Sequence, residues 1–151
     1  MPESFKMKIR RLFFNFFPAY RRTGARITYL ADDLSEWKIK LPLNWTTRNY
    51  VGTIFGGSMY GALDPIYMVM LIHLLGPDYI VWDKTATIRF LKPGRSTLYA
   101  TFKLEHEEID EITNELANGG KIERTYSVDL VDKNGVVHAS VEKLIHIRKK
   151  E

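Results

Sequence analysis

The residues best suited to chemistry lie between positions 49 and 64, in the run NYVGTIFGGSMYGALD. Four glycines, Gly52, Gly56, Gly57 and Gly61, lead into a long apolar segment, and Asp64 is the only charged residue between Arg48 and Asp78. A carboxylate in such surroundings costs free energy unless it is paired or used. Bare backbone N–H groups at a helix N-terminus can hold an oxyanion. The glycines could thus stabilise a developing negative charge, with Asp64 as a catalytic carboxylate. Each feature also has a structural role open to it. The glycines can serve close helix packing. Asp64-Pro65 is a good N-cap pair, so Asp64 could cap a helix that restarts at Pro65. The two roles are compatible, because a kink at Pro65 can aim the carboxylate into a cleft.

Other chemistries find less support. With no cysteine in 151 residues, disulfides, thiolate metal sites and cysteine nucleophiles are excluded. The four histidines form no His-Glu-x-x-His motif. His138 and His146 share a strand face but stand roughly 26 Å apart at about 3.3 Å per residue, so no metal site is expected. Ser58 lacks the glycine spacing of a nucleophile elbow and suits a helix N-terminus instead. Neither a Walker loop nor a dinucleotide fingerprint is present. His73 falls on the helix face opposite Asp64, which disfavours an Asp/His pair.

These residues must be positioned by the elements around them. Residues 5–17 read as an amphipathic helix, with Phe5, Ile9, Leu12, Phe13 and Phe16 on one stripe and Lys6, Lys8, Arg10 and Arg11 largely off it. Pro18 ends it. Such a helix could lie on a membrane surface. Being short and joined to a well-formed fold, it is expected instead to pack on the domain or on a partner subunit. Residues 25–31, with Ala25, Ile27, Tyr29 and Ala31 on one face, alternate as a strand. Residues 37–43 do the same with Trp37, Ile39, Leu41 and Leu43, and Pro42 places this strand at an edge or near its end. The segment 56–75 reads as a buried central helix, covered all round and closed at Gly76-Pro77. Its clean apolar run, 66–75, is too short to cross a bilayer.

The remainder is mostly strand. Residues 80–91 should place Trp82, Ala86, Ile88 and Phe90 on one face, and 97–104 should turn Leu98, Ala100, Phe102 and Leu104 inward. A short helix at 107–118 carries Ile109, Ile112 and Leu116, with Gly119 as its cap. Residues 122–131 and 136–147 form a hairpin. Strands gathered around one apolar helix imply an α+β class and one domain over residues 1–151. A curved antiparallel sheet wrapped around a long central helix is the hotdog fold, here with an extra amphipathic helix within residues 1–20.

A hydrophobic fraction of 45% supports a packed core rather than disorder. The formal charge is +4, with much of the excess at the two ends. Such a balance can draw anions or simply solvate the surface. Nothing at the N-terminus reads as a signal peptide, and a cytoplasmic setting is expected.

The run Asn49-x-x-Gly52-x-x-Phe55-Gly56-Gly57, followed by Asp64, resembles the signature of hotdog-fold acyl-CoA thioesterases. Their usual pattern is Asn-x-x-Gly-x-x-His-Gly-Gly with an acidic residue further along the central helix. Ile88-Arg89-Phe90-Leu91-Lys92-Pro93 resembles the strand after that helix. With DPIYMVML, YIVWDK and VEKLIHIRKK, the chain looks like a thioesterase-like branch of the superfamily. The resemblance implies hydrolysis of an acyl-CoA or similar thioester, with Asp64 as general base or nucleophile. It implies that Gly56 or Gly57 donates an N–H to the oxyanion and that Asn49 positions the water or the carbonyl. Phe55, Tyr60 and Met68 would meet the substrate, and Arg89, Lys92 and Arg95 the phosphates of coenzyme A. It further implies a homodimer with active sites between subunits, often paired into a tetramer, and no cofactor beyond the coenzyme A of the substrate. The family's histidine is Phe55 here, which can shape an acyl pocket but cannot donate a hydrogen bond. A non-catalytic acyl- or lipid-binding protein is the alternative. No nucleic-acid partner is expected, and membrane contact is the lesser alternative for the first helix.

Overall fold

The computed structural model describes residues 1–151. Helices α1 (Phe5–Phe16) and α2 (Pro18–Arg21) precede a hairpin of β1 (Arg26–Leu30) and β2 (Glu36–Leu41). Helices α3 (Gly56–Leu63) and α4 (Ile66–Leu75) follow, then β3 (Tyr79–Phe90), β4 (Leu98–Lys103), α5 (His106–Glu115), β5 (Lys121–Val131) and β6 (Val137–Lys149). The strands make one antiparallel sheet in the order β1-β2-β4-β5-β6-β3. Its curved inner face packs on the central helical segment, the hotdog arrangement.

Alternation builds that inner face. Trp37, Ile39 and Leu41 of β2 and Leu98, Ala100 and Phe102 of β4 are buried, and the residues between them are exposed. Trp37 lies opposite Phe102 and Leu41 opposite Leu98. A one-residue slip would turn both sets toward water, at about 1.5–3 kcal/mol for each large side chain.

Two strands depart from the phase expected of them, each at a bulge. In β1 the register shifts between Ile27 and Tyr29. Ile27 is inward, but beyond the shift Leu30 is fully buried in place of Tyr29 and Ala31. In β3 the register shifts between Asp83 and Thr85. Ile88 packs on the core and Phe90 lies against Gly56. Trp82, expected beside them, turns to the outer face and stacks on His146 with ring centroids 4.3 Å apart. One inserted residue, Lys84, reverses the alternation and leaves Asp83 facing inward.

The central segment is not one rod. Asp64 and Pro65 make a turn between α3 and α4, because Pro65 has no N–H to continue the ladder. Asp64 does not cap the restarted helix: the N-cap is Pro65, with no side-chain bond. Cover is also incomplete. Leu63, Ile66, Tyr67, Met70 and Leu71 are buried, but Ile72 is exposed and Met68 and Val69 are half-buried. Gly76 closes the segment at φ 87°, a backbone conformation that favours glycine.

Against the domain, the first helix packs the face opposite to its apolar stripe. Met7 and Asn15 are its buried residues, and Phe14 packs on Trp37 with centroids 4.9 Å apart. Phe5, Ile9, Leu12, Phe13 and Phe16 all point outward. The cause is the free edge of β1, whose unpaired backbone groups need partners. The Asn15 side chain donates to the Ile27 carbonyl at 2.9 Å and accepts from the Ile27 N–H at 2.8 Å. The Glu3 carboxylate accepts from the Leu30 N–H at 3.0 Å. Polar groups of the first helix and its lead-in thus seal the sheet edge and set the helix's rotation.

Candidate active site

On β6, Val141, Ile145 and Ile147 point into the core, and Lys143 takes the inward position between Val141 and Ile145. Its side chain is 0% exposed. Its ammonium donates to Asp64 Oδ1 at 2.8 Å, to Asp83 Oδ2 at 2.6 Å and to the Asp64 carbonyl. Three partners use all three hydrogens of an ammonium, so Lys143 acts as a fixed positive charge. Both carboxylates reach it through breaks in regular structure. Asp64 sits at the turn between α3 and α4, and Asp83 is turned inward beside the β3 bulge.

Tyr60, one helical turn before Asp64, donates its hydroxyl to the same Oδ1 at 2.7 Å. Burial, and then the hydrogen bond to Asp64, raise the Tyr60 pKa above the ordinary phenol value, so the hydroxyl remains a donor. Oδ1 of Asp64 is held twice, while Oδ2 has no protein partner. The Asp64 side chain is 43% exposed. Asp83 Oδ1 is buried without a partner. Two carboxylates around one ammonium leave a formal charge of −1, and the open side of that charge is Oδ2 of Asp64.

The helix start holds the second group of predicted residues. The Gly56 and Gly57 N–H groups precede the first intrahelical bonds and have no backbone acceptor. Aromatic rings flank them: a Cβ on Gly56 would meet the Phe90 ring at 3.1 Å, and one on Gly57 would collide with the Phe55 ring. Gly61 packs close to Thr23. Asn49 is committed to its own turn. Its Oδ1 accepts from the N–H groups of Val51 at 3.1 Å and Thr53 at 3.0 Å, and its Nδ2 donates to Thr53 Oγ1 at 2.9 Å. A cleft of about 380 Å³ opens here, lined among others by Asn49, Gly56, Met59, Phe90 and Lys92.

The remaining predicted residues are scattered. Arg89 opens on the outer face of the sheet with Thr87, Ser140 and Glu142, away from Lys92. Arg95 is exposed in the loop after β3. Met68 lines a separate apolar cavity of about 310 Å³ with Phe14, Tyr20 and Trp37. Ser58 is buried. His73 meets Arg10 Nη2 at 3.1 Å and the edge of Phe14, far from any pairing with Asp64.

Lys143 and Asp83 are the members of the site that sequence patterns did not single out. A signal existed for Lys143, since Val141, Lys143, Ile145 and Ile147 share one strand face. None existed for Asp83, whose inward direction depends on the bulge.

Comparison with known proteins agrees with this architecture. The family model described as "Domain of unknown function (DUF4442)" matches residues 6–147. No curated protein matches the chain. PA5026 of Pseudomonas aeruginosa, described as a "Probable Thioesterase", shares 21% identity at a TM-score of 0.83, over 99% of this chain and 98% of its own. Thioesterase HI1161 of Haemophilus influenzae shares 12% identity at 0.70, over 97% and 93%. The Escherichia coli PaaI protein, from the phenylacetic acid degradation operon, shares 16% at 0.64, over 93% and 91%. At such identities the likeness establishes the hotdog fold, and the family match covers most of the chain. The chain belongs to the DUF4442 family.

Proposed function

We propose that this protein hydrolyses an acyl thioester, with acyl-CoA as the substrate class, through Asp64. The observation that carries the proposal is the state of that carboxylate. One oxygen is clamped by Lys143 and Tyr60, and the other is open. A carboxylate held in this way can take a proton from water, or attack the thioester carbonyl, without first reorienting. The Gly57 or Gly56 N–H would receive the developing oxyanion. Structural neighbours named as thioesterases support the reaction class.

An oxyanion donor must lie about 3 Å from the reacting oxygen. Within one chain, seven residues of helix put Asp64 about 10 Å beyond Gly57. The two serve one site only if Gly57 comes from one copy and Asp64 from another. The exposed apolar surface supports such a homodimer: Trp45, Tyr50, Val51, Phe55, Phe90 and Leu91 surround the helix start and are all more than half exposed. The outer edge of β3 is also unpaired. Lys92, beside the cleft, is the best-placed cation for the phosphates of coenzyme A. Purified protein and its Asp64→Asn variant should be assayed against acyl-CoAs of graded chain length. The variant should stay folded, because Lys143 keeps its pair with Asp83, and lose about 10²–10⁴-fold in kcat; undiminished turnover would refute the role of Asp64.

One observation favours a second function, acyl binding without turnover. The Phe55 ring covers Gly57 at the position where the resembled family carries its histidine. A fatty acyl ligand extracted from the purified protein, together with no turnover of any acyl-CoA, would establish that function.

A further inference from the structure

Phe5, Ile9, Leu12, Phe13 and Phe16 form an exposed apolar stripe along α1, and Phe17 extends it. At about 100° per residue, the stripe covers roughly 100° of the helix circumference. Met7 and Phe14 lie on the opposite side. Lys6 and Arg10 border the stripe on one flank and Lys8 on the other, while Arg11 lies further round and pairs with Glu3 at 3.0 Å. Arg21 lies over the Phe16 ring at 4.8 Å, which adds a cation at the far end. The bonds from Asn15 and Glu3 to β1 hold this rotation, so the stripe is not free to turn inward. A contiguous apolar patch of this kind on a chain's surface marks an interaction site.

Charge selects the partner. Residues 1–30 contain Lys6, Lys8, Arg10, Arg11, Arg21, Arg22 and Arg26 against Glu3 alone, a formal charge of +6. The whole chain carries +4, so the rest is net −2. A second copy seated on this stripe by a two-fold axis would set two strongly positive segments face to face. A nucleic acid would use the cations but leave the phenylalanines in water. An anionic bilayer uses both. The apolar side chains enter the boundary below the headgroups, and the bordering lysines reach the phosphates. We propose that α1 docks this protein on an anionic phospholipid bilayer, with the helix axis in the membrane plane.

Co-sedimentation of the full chain with vesicles tests this. Vesicles of phosphatidylcholine containing phosphatidylserine should bind the protein, phosphatidylcholine alone should bind it weakly, and added salt should release it. Lys6→Gln with Lys8→Gln should weaken binding roughly 25-fold, about fivefold for each cation. Ile9→Glu with Phe13→Glu should abolish it. All four side chains are exposed, so thermal melts of both variants should match the wild type. The proposal is overturned if the wild type fails to sediment with anionic vesicles or if Ile9→Glu/Phe13→Glu binds as well as wild type. It is equally overturned if sedimentation velocity shows that this variant breaks an oligomer, which would assign the stripe to a second copy.

Discussion

Lys143→Met removes the ammonium that joins two carboxylates while keeping a flexible apolar side chain in its place. Oδ1 of Asp64 and Oδ2 of Asp83 are at most about 5.4 Å apart, the 2.8 and 2.6 Å contacts laid end to end. Two unit charges at that separation repel by about 3 kcal/mol at an effective dielectric of about 20. The lysine position is 0% exposed, but the Asp64 and Asp83 side chains are 43% and 25% exposed, so water screens part of the repulsion. Removing one partner of a fully buried ion pair typically costs about 3–5 kcal/mol, and the screening reduces the loss here to roughly 2–3 kcal/mol. In a chain of this length each kcal/mol lowers the thermal midpoint by about 2–4 °C, which predicts a fall of roughly 4–12 °C.

Circular dichroism melts and guanidinium titrations measure the loss directly. Asp83→Asn supplies the second arm of a double-mutant cycle. With Asp83 neutral, Lys143→Met leaves a single unpaired carboxylate, so the double variant should lose about 0.5–3 kcal/mol less than the two single losses combined. A Lys143→Met protein that melts with the wild type, and shows no coupling to Asp83→Asn, would refute the buried ion group as the element that holds Asp64.

Asn15→Ala removes both bonds to Ile27 and should cost about 1–3 kcal/mol; chemical denaturation measures this, and amide exchange at Ile27 should quicken. His73 has its pKa lowered by burial, and further by the adjacent Arg10 charge. The unfolded chain therefore binds this proton more readily, so stability should fall as pH drops below about 6.5 toward the folded value. A thermal midpoint followed against pH should fall less steeply in His73→Gln.

Local patterns made much of the architecture legible. The alternation in β2 and β4 names the buried residues directly, because these two strands pair with each other without a shift. Proline at 65 and glycine at 76 mark the break and the end of the central segment for backbone reasons alone. Asp64 stood out by isolation, but what holds it lies 79 residues away along the chain. Nothing local reports that distance. The two bulges hide in the same way: an extra residue is defined by the partner strand, so Trp82 and Leu30 take faces that a period of two denies them. The first helix shows a third kind of limit. Its moment shows which face is apolar, not which face the fold needs, and the free edge of β1 called for asparagine and glutamate rather than phenylalanine.

Charge then divides the apolar surface that one chain leaves uncovered. The patch around the helix start, with Trp45, Tyr50, Val51 and Phe55, has Arg48 as its one charged residue between positions 45 and 57. The neighbouring edge strand β3 carries Asp83, Lys84 and Arg89, close to balance. Two copies can meet there with little repulsion, and that meeting is what would bring Gly57 of one toward Asp64 of the other. The stripe on α1 sits instead in a segment of charge +6, where self-contact is opposed and an anionic surface is favoured. Apolar area alone would rank the two patches as equal candidates for either partner. On the two proposals made above, their different charge assigns the first patch to a dimer and the second to a membrane, and raising the ionic strength should weaken only the second.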